Sequence, residues 1–431
     1  MNRWIAIFVL IAAPLRAEVD ITHVTSASGL EAWLVEERSI PFVSLELIFA
    51  GGATLDSDEE AGAVNLMAAL LSEGAGELDA QRFAARTEEL AARLQFEAGR
   101  DTVSVSARFL TEDAEDVIHH LRLALTEPRF DPPAIERVRG QIVAQLRRDA
   151  LNPNTIASQA FAHAAFGAHP YGRESNGTPE TVALLDRDAI EAAHRNAITR
   201  DRVFIGAAGD ISAEDLGLLL DRLFEGIPVT GAEPVGRAEF LAEPGIEIIP
   251  FVGPQSVVAF GHAGIPRDDP EFLTAFVVNE VFGGGRFGTR LMQSLRTERG
   301  LTYGIGTFLS SGALGETYQG RLSTDNANVE MVIELLRDEW ARMARDGITA
   351  EELERIQTYL TGAYPLRFDG NSSIASSMAS MQYQGFDIDY VNIRNDLVNA
   401  LTLEQVNDMA ARLYDPEALF FVIVGQPVGL N

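Results

Sequence analysis

The sequence predicts an α+β fold of two duplicated domains, each a largely antiparallel sheet with helices packed on one face. Three observations lead there. First, VSVSARFLTEDAEDVIHHLRLAL, from Val103, resembles ETYQGRLSTDNANVEMVIELLRDEW, from Glu316. Each reads as an alternating strand, an acidic turn and an amphipathic helix, followed by a further helix opening with Glu-Arg, at Glu136-Arg137 and Glu354-Arg355. Second, the halves end alike: DAIEAAHRNAITRDRVFIGAAGDI matches EQVNDMAARLYDPEALFFVIVGQP, and the pairs Ile190/Val406, Phe204/Phe420 and Gly209/Gly425 all stand 216 residues apart. Two copies at constant spacing mean a duplicated domain, not a solenoid. Third, each half runs from a strand pair through helices to another strand and more helices, the order of an α+β domain.

The elements follow in chain order. Arg3, the apolar run 4–13 and Pro14-Leu15-Arg16-Ala17 read as a secretory signal peptide over residues 1–17, because the apolar run is too short to span a bilayer. Cleavage after Ala17 leaves 431 − 17 = 414 residues, and the product is expected in the periplasm or secreted. The N-terminal domain is expected over 18–227, with LEAWLVEE and FVSLELIFAGG as its first two strands. Residues 228–245, PVTGAEPVGRAEFLAEPG, are rich in Pro, Gly, Ala and Glu without a steady apolar period and read as a linker. The C-terminal domain takes 246–431, and IEIIPFVGPQSVVAFGHAG stands where the first strand pair of the other half stands.

Composition narrows the function. The net charge is −29, from 34 basic and 63 acidic side chains, and every basic side chain is Arg. Such a chain is a poor ligand for nucleic acid or anionic membranes and favours basic or neutral peptides. With no Cys, disulfides, thiolate metal sites and Cys nucleophiles are excluded together. No later segment approaches the roughly 18 apolar residues of a membrane span.

Three further stretches carry a resemblance. They are FAGGATLDSDEEAGAVNLMAALLSEGAG, then NPNTIASQAFAHAAFGAHPYGRESNGTPETV, then NEVFGGGRFGTRLMQSLRTERGLTYGIG. With the duplication, the chain resembles the pitrilysin/insulinase-like zinc peptidases, or inverzincins, and most the short two-domain branch related to processing peptidases. The resemblance covers essentially all of the expected mature chain, and HPYG and LRTERGLTY are its most specific pieces. It implies two α+β domains per subunit, and two subunits closing like a clamshell on an unfolded peptide.

The family's core is H-x-x-E-H on a helix: two His one turn apart bind zinc, the Glu activates water, and a later helix supplies a Glu as third ligand. The corresponding run here is Asn65-Leu66-Met67-Ala68-Ala69, so both His positions (Asn65, Ala69) and the base position (Ala68) are lost. On the later helix Glu136 is present, but the ligand position seven residues on is Val143. Four matched losses imply a chain with no metal and no cofactor of its own, the zinc being expected in a partner subunit.

Nothing else compensates. Of the seven His, His119 and His120 stand four residues after Glu115 and Asp116, a spacing that reads as ordinary exposed ion pairs, and His169 reads as a loop-fixing hydrogen-bonding group. There is no G-x-S-x-G elbow, and FGGGRFG lacks the Lys-Ser/Thr of a phosphate loop. It reads as a mobile turn before a helix, and the resemblance makes Gly284, Gly285 and Arg286 a substrate-binding entry loop.

One constellation survives. LMQSLRTERG reads as a helix closed by Gly300, with Arg296 on its last turn and Tyr303 on the strand that leaves it. Alone, the pair is ordinary structure, since Arg suits a helix C-terminus and Tyr a strand. By resemblance, an Arg and a Tyr at this spacing donate to the carbonyl of a bound peptide across the chamber. The implied function is therefore the non-catalytic subunit of an exported heterodimeric metallopeptidase, with Arg296 and Tyr303 acting in trans beside a homologous zinc-bearing subunit. The alternative is a peptide-binding or scaffold protein of the same fold with no part in proteolysis. A displaced metal site in an active peptidase is a third reading.

Overall fold

A computed structural model describes residues 19–430, so the expected signal peptide lies outside the described residues. The N-terminal half contains strands β1 (Thr22–Thr25), β2 (Glu31–Glu36), β3 (Phe42–Ala50), the two-residue pair β4 (Gly74–Ala75) and β5 (Leu78–Asp79), then β6 (Arg93–Ala98), β7 (Thr102–Leu110) and β8 (Val203–Gly209). The C-terminal half contains β9 (Gly245–Pro250), β10 (Gln255–Ala263), β11 (Ile305–Ser311), β12 (Glu316–Asp325) and β13 (Phe420–Gly425).

The first sheet is ordered β1-β2-β8-β3-β7-β6 and the second β11-β12-β10-β13-β9. Read from the other edge, the second is β9-β13-β10-β12-β11, the same path as β2-β8-β3-β7-β6. In both sheets only the pair at the corresponding place, β2 with β8 and β13 with β9, is parallel. The duplication is thus one topology used twice, with β1 added to the first copy.

Alternation sets the register. Val43, Leu45, Leu47 and Phe49 of β3 lie opposite Phe109, Ala107, Val105 and Val103 of β7, and all eight are buried in one core. A slip of one residue would turn each to the other face. Helices Ala63–Leu70, Ala114–Thr126 and Ala213–Leu223 cover that face. The second core places Val258 and Phe260 of β10 with Phe421 and Ile423 of β13 under Phe272–Phe282, Val329–Asp346 and Leu403–Leu413.

The opposite face of each sheet takes a helix from the other half. Asn371–Tyr383 lies across β8, β3 and β2, and Pro153–Phe166 lies across β13 and β10. Their first residues stand 371 − 153 = 218 apart, so the exchange is itself duplicated. Phe161 packs on Phe420 with ring centroids 6.0 Å apart, inside a cluster with Val422 and Val424. Asn371–Tyr383 presents Ala375, Met378 and Met381 to Trp33 and Ala208. It comes so close that a Cβ on Gly206 would stand 2.0 Å from the Ala375 carbonyl oxygen, which only glycine permits. Helices on one face of each sheet are therefore joined by one exchanged helix on the other, and packing crosses the boundary that chain order draws.

Residues 228–244 carry no helix or strand but are not loose. Ala238 N–H donates to the Leu314 carbonyl (2.6 Å) and Leu241 N–H to that of Ala165 (2.8 Å). His169 Nε2 donates to the Gly236 carbonyl (2.9 Å), which leaves Nδ1 to accept from Tyr171 N–H (3.1 Å). Tyr171 then bridges the halves: its hydroxyl donates to Asp101 (2.6 Å) and accepts from Leu314 N–H (3.0 Å). HPYG is thus a structural junction.

Candidate functional site

Helix Ala63–Leu70 begins where Gly62, at φ +97, turns the chain after β3. Asp56 receives its first free N–H groups, accepting from Gly62 (2.9 Å) and Val64 (3.1 Å). Burial pushes the Asp56 carboxyl up to about 7, against the pull of those two donors and of Arg173. Arg173 ties the loop down through the Ala53 and Asp56 carbonyls and Asp58. The sequence reading missed this brace, whose one local sign is the Arg following HPYG.

Asn65 and Ala69, four residues apart, are both half-buried and share a helix face, and Ala68 beside them is buried. Val143, on Pro132–Asp149, is half-buried, and the two helices touch. Ala69 and Val143 both pack against the first core. Glu136, one helical stretch earlier, is exposed and pairs with Arg139. The helices that carry the expected ligand positions thus pack against each other. An amide, two methyl groups and an isopropyl group offer no imidazole or carboxylate there, so these residues do not fit zinc. Among the described residues no other group of three His, Asp or Glu could hold a metal.

The second constellation lies in the C-terminal half. Helix residues Met292–Thr297 are wound as a π-helix, with Glu298 N–H donating to Gln293 carbonyl (3.0 Å). Gly300, at φ +63, ends it, and its N–H donates to the Arg296 carbonyl (3.0 Å). Ser294 anchors the turn on buried Glu339 at 2.7 Å. Such wide turns recur at functional sites. Arg296 lies with its guanidinium 4.5 Å from the centre of the Phe287 ring, so the glycine-rich loop and the arginine meet.

Tyr303 is not on the strand, as expected from sequence, but in the loop two residues ahead of β11. Thr302 closes that loop, its hydroxyl donating to the Gly304 carbonyl (2.8 Å), and the Thr324 hydroxyl holds the Leu301 carbonyl (2.7 Å). The phenol is 86% exposed, so a braced loop presents it to solvent. Among the described residues no hydrogen bond joins Arg296 to Tyr303; each is free to donate outward.

Gly284 and Gly285 line a cavity of about 480 Å³ beside Gly306–Leu309 of β11, the edge strand of its sheet. The Arg286 guanidinium donates to the Glu280 carbonyl (2.6 Å), faces the Glu280 carboxylate (3.5 Å) and covers the Tyr359 ring. Burial raises the Glu280 pKa, and Arg286 opposes that rise. Arg286 is therefore a loop anchor.

The histidines correct another expectation. Asp116 pairs with Arg86 (2.9 Å) and Glu115 with Arg222 (2.6 Å), not with His120 and His119. His120 is buried, stacked on Phe83 at 4.0 Å and bonded to Thr87 (2.9 Å).

Residues 33–178 match the family "Insulinase (Peptidase family M16)" and residues 185–360 match "Peptidase M16 inactive domain". The chain is 24% identical over 393 residues to the "Non-peptidase homolog YmxG" of Helicobacter pylori, covering 90% of each. It is 23% identical over 402 residues to the "Uncharacterized zinc protease YmxG" of Bacillus subtilis, covering 91% of this chain and 96% of that one. Among solved structures, a peptidase M16 inactive domain from Pseudomonas fluorescens superposes with a TM-score of 0.89 at 26% identity, covering 96% of this chain and all of that one. A protease from Helicobacter pylori shares the fold, with a TM-score of 0.85 at 12% identity over 94% of this chain and 99% of that one.

Proposed function

Because the chain belongs to the peptidase M16, or insulinase, family, we propose that it is the non-catalytic, zinc-free subunit of an exported heterodimeric metallopeptidase. One juxtaposition carries the reading. The ligand and base positions hold Asn65, Ala68, Ala69 and Val143, while Arg296 and Tyr303 are kept, Arg296 half-buried and Tyr303 open to solvent. A chain that kept only its scaffold has no use for that pair.

In this reading an extended peptide lies along a strand edge, where unpaired N–H and C=O groups await a partner. Arg296 and Tyr303 then donate to a peptide carbonyl whose oxygen gains charge as the bond is attacked in the other subunit. A guanidinium and a phenol suit that task because they donate without competing as nucleophiles. The partner carries H-x-x-E-H and the metal. A relative named a non-peptidase homolog supports the division of labour.

The test is co-expression with an M16 chain bearing H-x-x-E-H, which should give a complex of about one to one by sedimentation, with peptidase activity neither chain has alone. A zinc-bearing chain fully active by itself contradicts the proposal. Export is checked by the N-terminal sequence of the periplasmic or secreted product, which should begin at Glu18.

A further inference from the structure

Several arginines of this acidic chain form no ion pair among the described residues. Three of them share one cleft. It has a volume of about 650 Å³, lies between the segment before helix Phe272–Phe282 and the helices Asn371–Tyr383 and Tyr390–Ala400, and is lined by Arg267, Arg367 and Arg394. None of the three forms an ion pair among the described residues. Arg267 donates to Gln384 (2.6 Å), and Arg394 to the Leu360 carbonyl (3.0 Å) and Asn395 (3.1 Å), all neutral acceptors. Arg367 is exposed. Asp269, the carboxylate in the lining, accepts from Glu271 N–H (2.7 Å) instead.

Arg267 rests on the Phe272 ring (4.4 Å) and Arg394 on the Tyr364 ring (4.6 Å), cationic contacts that leave room for an anion. Burial, and after it the charge of Arg367, lowers the pKa of Arg267 and Arg394 against the pull of Tyr390. The Tyr364 hydroxyl and Arg267 Nε are buried without partners. Phe272, Phe276, Phe386, Leu397 and Leu401 give the cleft an apolar stretch of wall, beside a hydroxyl-bearing one with Ser376, Ser377 and Ser380. Arg267, Phe272 and Phe276 also line the neighbouring cavity that runs past Gly284 and Gly285 to Gly306–Leu309 of β11.

We propose that this cleft captures the C-terminal residue of an extended peptide, its carboxylate among Arg267, Arg367 and Arg394 and its apolar side chain against the phenylalanine wall. Guanidinium forks match a carboxylate, and a charge beside an apolar wall calls for both features on one residue, which a terminal Leu or Phe has and an Asp or Glu lacks. Continuity with the edge of β11 favours a peptide over a small free anion, because an extended chain paired there runs from the glycine loop to the arginines. The assignment rests on the peptide-chamber reading above.

The test is calorimetric titration of the full chain with an unfolded decapeptide free of Asp and Glu and ending in Leu-Phe, as the free acid and as the C-terminal amide. The acid should bind about tenfold or more tightly than the amide. The exposed-site variant Arg367→Gln, and separately Arg267→Gln, should remove most of that difference. Equal binding of acid and amide overturns the assignment while leaving peptide binding intact. Failure of both peptides overturns it together with the chamber. A difference that survives both variants places the carboxylate elsewhere and overturns the cleft. Octanoate binding as tightly as the acid peptide would make this a small-carboxylate site and overturn the peptide.

Discussion

Replacing Phe161 by Ala tests whether the exchanged helices weld the two halves into one cooperative unit. Phe161 belongs to the N-terminal half, is 2% exposed and spends its ring on Phe420 and the β13 face of the C-terminal sheet. The reciprocal helix has already brought the halves so close that Gly206 cannot carry a Cβ. Removing a buried Phe costs about 3–5 kcal/mol through lost transfer and the cavity left behind. With an m-value of roughly 3 kcal/mol per molar urea, the midpoint should fall by about 1 M or more. Trp33 reports the N-terminal sheet where the exchanged helix Asn371–Tyr383 covers it, Trp340 the C-terminal core, and the remaining Trp4 falls in the expected signal peptide. Urea unfolding followed in Trp33→Phe and in Trp340→Phe backgrounds should give coincident transitions, and Phe161→Ala should lower both equally. Two separated wild-type transitions, or a drop seen by one tryptophan only, would refute the coupling.

The remaining expectations concern the degenerate site. Asp56 holds its proton to about pH 7 in the folded chain against an ordinary value of 3.8, so this contribution to stability is full below about pH 4 and is lost as pH rises through 7. Relative to Asp56→Asn, the wild type should lose up to about 1.4 kcal/mol per pH unit across that window, read from urea midpoints at about pH 5 and about pH 8; parallel profiles would show Asp56 ionised throughout. The purified chain should carry no stoichiometric zinc by elemental analysis, and Asn65→His should carry none either, because one imidazole beside Ala69 and Val143 is not a site. Near-equimolar zinc after mild dialysis would contradict both expectations.

How much of this is visible in the chain depends on whether the cause is local. The alternation of β3 and β7 is local, and so is the Gly300 stop, so the strands, the duplication and the Arg296 turn can all be read from residues alone. The exchange of helices cannot. Asn371–Tyr383 carries Ser, Ala and Met around much of its surface, and nothing in that stretch says which sheet it meets. The β1 strand is missed because four residues, with Val24 alone buried, carry too little pattern. Tyr303 reads as strand because Tyr and the following apolar residues favour one, but the Thr302 side chain closes a turn first. Arg286 is a substrate group by resemblance alone; its contact with Glu280, six residues back on a helix, has no signal in the sequence. The three-arginine cleft draws on residues 267, 367 and 394, separations that no motif spans.

The most direct measurement is steady-state peptide cleavage by the assembled heterodimer with Tyr303→Phe in this chain. The ring and its 86% exposed position are kept and only one donor is lost, so assembly by sedimentation and zinc content should not change. Turnover should fall on the order of 10²–10³ fold, the cost of one preorganised oxyanion donor. Arg296→Ala should lower turnover and also weaken peptide binding, and the double variant should be little worse than the poorer single one. Wild-type turnover in an intact Tyr303→Phe complex would contradict the account and leave the chain a scaffold.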